Sequence, residues 1–280
     1  MELIINDLSQ YGLLIHGPES PGFKERLSAL VASPADLDED TLRYSIVIEN
    51  QTAHHVVNIT IVWRFSPSKD ASFPFTFSQG FGGSASSVFN GASWSRLASG
   101  AQYPFTPLAI DLSAPGQEAA GTESGDERMR RRDQMKSRFA ESHTVLVEID
   151  GALFSDGVFV GPDTTGRFED FEIRVRAARD LIAELNQKLD DGEDAFAHAE
   201  RYASITKEQI EASFPAPQPH VRPHNLDEAR ALFHNPEKLY AFFKKSEAMA
   251  VILRRQRVGE AAAIEWIRAS AKNQIPLVKR

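Results

Sequence analysis

The sequence predicts an α+β protein: an antiparallel β-sandwich over residues 1–165 followed by an all-helical region over 166–280. Three observations carry this. Apolar side chains alternate at every second position through Tyr44–Phe65. After Phe168 the period changes, and Phe168, Phe171, Val175, Ala178, Ile182, Leu185 and Leu189 return every three to four positions. Charge changes at the same joint: residues 1–165 hold 12 Lys or Arg against 21 Asp or Glu, and residues 166–280 hold 19 against 18. A two-residue repeat marks strands with one face buried, and a repeat near 3.6 marks an amphipathic helix.

Taken in order, the strongest strand signals are Leu42–Asn50 and Val56–Phe65. Tyr44, Ile46 and Ile48 fall on one side of the first, and Val57, Ile59, Ile61, Trp63 and Phe65 on one side of the second, with polar NQTAHH as the turn between them. Phe73–Phe77 alternates again, and Pro74 sends it to a sheet edge because proline cannot donate to a ladder. Pro104–Leu112 and Thr144–Ile149 supply further strands. Ser155-Asp156-Gly157-Val158 reads as a two-residue hairpin turn, with Gly151 permitting a bulge. Gly161-Pro162-Asp163 then ends the strand, and Glu169, Asp170 and Glu172 sit where carboxylates favour a helix N-terminus. The acidic, glycine-punctuated segment Ile149–Asp170 is therefore expected to be a turn and a joint, with metal binding by Asp150, Asp156 and Asp163 disfavoured because their spacing matches no calcium loop.

An aliphatic strand running from an Asn-rich turn into Trp63 resembles the immunoglobulin-like and fibronectin-type sandwiches. The resemblance implies a sandwich and carries nothing about activity.

Beyond Gly192 a helix is expected near Glu193–Ala203, and Thr206-Lys-Glu-Gln209 forms a capping-box pattern for another. Pro215–His224 reads as an extended connector, and Asn225-Leu-Asp-Glu228 caps the next helix. Asn235-Pro236 opens the longest helix, which ends at Gly259, with Leu239, Phe242, Phe243, Met249, Ile252 and Leu253 on its apolar side. A last helix spans about Glu260–Asn273 with Ile264, Trp266 and Ile267.

Composition bounds function. The net charge is −8, and the acidic front half argues against nucleic acid, whose general affinity comes from basic residues on phosphates. No uninterrupted apolar run is long enough for a membrane span, and Glu2 and Asp7 interrupt any leader pattern, so a cytoplasmic location is expected. The absence of cysteine excludes disulfides, thiolate zinc sites and a cysteine nucleophile. Ser78–Ser87 is rich in glycine and serine but lacks a GK[ST] ending, so it reads as a flexible loop rather than a phosphate cradle. No cofactor and no catalytic residue is assigned.

Two surfaces remain as candidates for contact with a protein or small ligand. Phe81, Phe89, Trp94 and Tyr103 are the candidate ligand-binding aromatics. Arg128, Arg130, Arg131 and Arg132 belong to a run of six basic residues between 128 and 138, read as a loop that could meet an anionic partner or a second copy. The leading expectation is a non-catalytic binding or scaffold protein. The alternative is a hydrolase of carbohydrates or esters with a carboxylate site between the two regions, built from Asp or Glu near Trp94; Glu148 and Asp150 on one strand face could pair as acid and base, but a wet sheet face explains them more simply.

Overall fold

The computed structural model of the chain describes residues 2–31, 37–66, 75–82, 97–108, 125–214, 234–273 and 275–280. Its strands are β1 (Glu2–Asn6), β2 (Leu13–His16), β3 (Ile46–Asn50), β4 (Val56–Ser66), β5 (Phe75–Gly82), β6 (Gln102–Phe105), β7 (Thr144–Phe154), β8 (Val158–Val160) and β9 (Val278–Lys279). Its helices are α1 (Phe23–Leu30), α2 (Glu39–Tyr44), α3 (Gly125–Glu141), α4 (Arg167–Asp190), α5 (Ala195–Ser204), α6 (Lys207–Ser213), α7 (Pro236–Val258) and α8 (Glu260–Lys272). The fold is mixed α and β, with two open sheets.

The larger sheet has the order β5-β4-β7-β8-β9, with β1 beside the first half of β7. It is not wholly antiparallel, as expected above: β1 runs parallel to β7, and β9 parallel to β8. The smaller sheet, β2-β3-β6, is antiparallel throughout. One core joins them. Leu13, Ile15, Ile46, Ile48 and Phe105 of the small sheet pack with Ile59, Ile61, Trp63, Phe65, Val145 and Val147 of the large one.

The strong strand pair of the sequence is divided between the sheets, β3 in the smaller and β4 in the larger. Asn50 fixes the crossing. Its amide Nδ2 donates to the carbonyls of His54, Leu97 and Ala98, and its Oδ1 accepts from Thr52 N and Oγ1. A fully buried amide whose donors and acceptor are all engaged holds the turn away from a hairpin path.

Three other expectations shift locally. Leu42–Tyr44 belongs to α2, because Asp38 accepts from Thr41 N at 2.8 Å and starts a helix that the alternation had concealed. The Ser78–Ser87 loop begins as strand, since β5 continues to Gly82, while 83–87 lie outside the described residues. Pro104–Leu112 is strand only to Phe105, and 109–112 are not described. β5 does lie at a sheet edge; Phe73 and Pro74 fall outside the described residues.

β4 also differs from a half-wet strand: Thr60 and Val62 are buried as well as Ile59, Ile61 and Trp63, and Val57, expected on the side of Ile59, turns to the other face at the register shift between Val56 and Asn58. Its second face is covered, because Val57, Leu153 and Phe159 pack against Phe168 and Phe171 of α4 and Leu277 near the C-terminus. The helical layer has its own core, in which Leu181, Ile182 and Leu185 of α4 meet Phe196, Ala199, Ala248, Val251, Ala263 and Ile267. The capping box at Thr206–Gln209 and the cap by Asn235 of the Pro236 helix form as read.

The hairpin β7–β8 is a three-residue loop. Gly157 N donates to Phe154 O at 3.0 Å, and only Gly157 takes a positive φ, 87°, while Asp156 does not. A type I turn followed by a left-handed glycine satisfies the strand twist as well as the two-residue form would. The bulge falls where Gly151 suggested: Thr60 faces Gly151 and Ile61 faces Ile149, leaving Asp150 extra. A Cβ at 151 would stand 2.3 Å from the Phe159 ring, so the bulge glycine also makes room for the aromatic beneath it.

Candidate functional site

The outer face of the small sheet carries α1 and α2. Gly22 opens α1 in a left-handed conformation, which turns Phe23 and Leu27 down onto Val47. On the same face Glu49 gathers four donors: His16 Nε2 at 2.8 Å, Gln51 Nε2 and Gln102 Nε2 at 2.9 Å, and Arg26 Nη1 at 3.3 Å. The hydrogen bond from Gln51, with those from His16 and Gln102, outweighs burial and holds the Glu49 carboxyl below the usual carboxylate range. This cluster clamps α1 to the strands.

Between α1 and α2 lies an open groove of about 520 Å³. Phe23 and Leu42 give it apolar surface, Lys24 and Arg43 supply cations, Glu25 and Glu39 supply anions, and Ser20 stands at one end. The chemistry suits a ligand that offers apolar groups together with both signs of charge or backbone-like dipoles.

The basic run forms the wall support rather than a loop. α3 is a 17-residue helix whose Met135 and Phe139 enter the core, Phe139 stacking on Tyr44 with ring centroids 3.7 Å apart. Apolar side chains at i and i+4 fix the helix, and basic side chains then face α2. Arg132 pairs with Asp38 at 2.5 Å, and Lys136 with Asp40 at 2.6 Å. Burial would raise the Asp38 pKa, but hydrogen bonds from Thr41 and the charges of Arg132 and Lys136 together hold it low. Arg132 thus meets an anion within its own chain. Arg130 is exposed, and Arg128 and Arg131 lie on the same helix.

The four candidate aromatics are not assembled into one described surface. Tyr103 is half-buried against the shared core, tilted on Phe105 at 5.0 Å. Phe81 lies on β5 in register with Ile59, and Phe89 and Trp94 lie outside the described residues. The groove is not legible in the alternation of Leu42–Asn50, which conceals α2; the Asp38 cap with Glu39 and Asp40 in the first turn is the signal that could have revealed it.

At the joint between sheet and helices, Glu148 and Asp150 do not face each other across open space. Asp150, fully buried, accepts from Thr164 N at 2.7 Å, Thr164 Oγ1 at 2.6 Å, Thr165 N at 3.0 Å and Thr165 Oγ1 at 2.5 Å. Arg64 donates to Glu148 at 2.7 Å and to Thr164 Oγ1 at 2.7 Å, so a guanidinium and a hydroxyl stand between the carboxylates. Asp163 pairs with Lys279 at 2.7 Å. Glu148, Asp150 and Asp163 each have a partner within the chain, and the segment carries the chain from β8 into α4. Among the described residues no group of three or more His, Asp or Glu comes together as a metal site, and no helix is long and apolar enough to cross a membrane.

A second polar cluster lies within the helical layer. Lys244, nearly buried on α7, donates to Glu184 at 2.6 Å and sits 4.4 Å above the Tyr202 ring. Tyr240 donates to Asp180 at 2.7 Å. Burial opposes the Lys244 charge, but the bonds with Glu184 and Tyr202 prevail and raise its pKa, which suits a structural cation and not a nucleophile. Burial, and then the bond to Asp180, push the Tyr240 phenol up to about 12. Both groups have folded pKa values above their unfolded ones, near 10 for each kind. Their contribution to stability is therefore complete below about pH 10 and is lost as pH rises towards 12 and beyond. Titration of the five tyrosines by tyrosinate absorbance should show one that ionises last, near 12, and that disappears in Tyr240→Phe. An unchanged titration curve in that variant would refute the assignment.

No protein family, curated protein or solved structure matches the chain.

Proposed function

We propose that this is a non-catalytic binding or scaffold protein whose contact site is the groove between α1 and α2, with an extended polypeptide segment as ligand. The observation that carries the reading is the groove's lining, apolar at Phe23 and Leu42 and edged by Lys24, Arg43, Glu25 and Glu39. A mixed rim over an apolar floor matches a backbone with alternating side chains better than a single anionic or cationic ligand. The immunoglobulin-like reading of the strands belongs to the same proposal. Its support is the core shared by two sheets and the crossing of β3 to β4 between them; the parallel strands β1 and β9 are additions to such a sandwich. The division near residue 165 is likewise proposed, with residues 275–280 returning to the first unit.

The competing hydrolase reading is weakened by the engagement of Glu148, Asp150 and Asp163 at the joint. Display of random linear peptides against the purified chain tests the proposal. Sequences enriched on the wild type should be lost on Leu42→Arg, which fills the groove with a like-charged neighbour for Arg43, at unchanged circular dichroism. Enrichment that ignores Leu42→Arg would reject the groove. Turnover of chromogenic esters or glycosides that Glu148→Gln abolishes in a folded protein would reject the non-catalytic reading.

A further inference from the structure

α7 is patterned inside out. Its buried face carries Lys244 at 7% exposure and Glu247 at 4%, beside Ala248 and Val251. Its outer face carries Met249 at 46% and Leu253 at 56%, two of the large apolar side chains most open to water. A helix that ends its apolar stripe at solvent and its charges in the core reverses the usual arrangement. The inner charges are explained, since Lys244 meets Glu184 and Glu247 lies 3.8 Å from Arg174. Among the described residues, Met249 and Leu253 are not members of the helical core.

The spacing of that outer face is regular. Leu239, Phe242, Ser246, Met249, Leu253 and Gln256 follow one another at intervals of three, four, three, four and three, the a/d pattern of a coiled-coil seam. The seam is about 25 Å long at the rise of an α-helix. It is also self-complementary. When a second α7 is laid antiparallel about a two-fold axis near residues 247 and 248, Leu239 faces Gln256, Phe242 faces Leu253, and the small Ser246 faces Met249. The flanking charges fit the same register. Lys238 then lies opposite Gly259, Lys245 opposite Ile252, and Arg257 opposite Pro236 next to Glu237, so no like charges meet. Opposed helix dipoles also favour the antiparallel form.

We propose that the outer face of α7 is a homodimer interface, in which the helix pairs antiparallel with α7 of a second copy through Leu239, Phe242, Met249 and Leu253. The inference is independent of the groove, which lies in the other part of the chain. Sedimentation equilibrium from low to high micromolar protein should show monomer and dimer in exchange. Leu253→Glu should weaken dimerisation by on the order of tenfold or more, because it places an unpaired charge in the seam, while leaving circular dichroism unchanged at a position already 56% exposed. Met129→Glu, at a side chain 66% exposed on α3, is the control and should leave association alone.

Register is tested by engineered thiols, since the chain has no cysteine of its own. Mixing Leu239→Cys with Gln256→Cys under mild oxidation should give a disulfide-linked heterodimer. Each variant oxidised alone should stay uncrosslinked, because in the antiparallel pair like positions lie about 25 Å apart. A wild type that stays monomeric at every concentration would overturn the proposal. So would a Leu253→Glu variant that still dimerises, or crosslinking of either thiol variant to itself.

Discussion

Asp150→Ala is expected to lower the unfolding free energy by roughly 3–5 kcal/mol, a loss of about 5–9 °C in melting temperature for a chain of this size. The carboxylate is fully buried at the bulge of β7 and takes four hydrogen bonds from Thr164 and Thr165. Bonds to a charged acceptor are stronger than neutral ones, and their loss leaves two backbone N–H groups and two hydroxyls without an acceptor at a partly buried site. The effect spreads, because Thr164 Oγ1 also receives Arg64, which holds Glu148, and Asp163 N donates to Asp150 O at 2.8 Å. The whole entry to α4 is organised by one side chain. Asp150→Asn should cost less, since one amide oxygen still serves one threonine while the NH₂ confronts the donors of the other. Urea unfolding followed by tryptophan fluorescence measures both. A cost below about 1 kcal/mol for Asp150→Ala would mean that water substitutes for the carboxylate, and the joint would not depend on it.

Much of this was legible in the sequence because it is local. The change of period at Phe168, the Asn235-Pro236 cap and the Thr206–Gln209 capping box each rest on contacts within a few residues, and each appears where read. Gly151 and Gly157 announced a bulge and a turn for the same reason. What failed depends on partners distant in the chain. No pattern in Tyr44–Phe65 says that Asn50 will bind the carbonyls of Leu97 and Ala98 and so split two adjacent strands between sheets. Arg132 and Lys136 meet Asp38 and Asp40, about ninety residues earlier, and nothing near them in sequence marks the pairing. For α7, apolar side chains around much of the helix left two faces available. The expected one, with Met249 and Leu253, turned outward because Lys244 and Glu247 find partners on α4. The groove between α1 and α2 was hidden with α2 itself. Site geometry built across elements is invisible to periodicity, which reports only the face a single element turns inward.

The second large effect is expected from Gly157→Ala. Gly157 holds φ at 87°, where a Cβ costs about 1–2 kcal/mol, and that Cβ would stand 2.2 Å from Pro276 O and 2.8 Å from Ile275 Cγ2. The hairpin and the C-terminal segment cannot both keep their places. What the segment would lose is substantial. Val278 N donates to Gly157 O and Arg280 N to Phe159 O, Arg179 Nη2 donates to Ile275 O at 2.6 Å, and Leu277 packs on Phe159 and Phe168 and on Val175 and Ala178 of α4. Release would also strip Lys279 from Asp163, which is only 5% exposed at its side chain. Steric displacement added to backbone strain should bring the total to roughly 3 kcal/mol or more, with faster hydrogen exchange at the Val278 and Arg280 amides. Gly192→Ala separates the two terms: its φ is 73°, but nothing lies within 4 Å of the added Cβ, so only the backbone cost of about 1 kcal/mol applies. If the two variants lose equal stability and exchange at Val278 is unchanged, the segment is not held against the hairpin. If only Gly157→Ala frees those amides, the returning strand is what locks the sheet to α4, and the joint at Asp150 and the strap at Gly157 are two ends of one fastening.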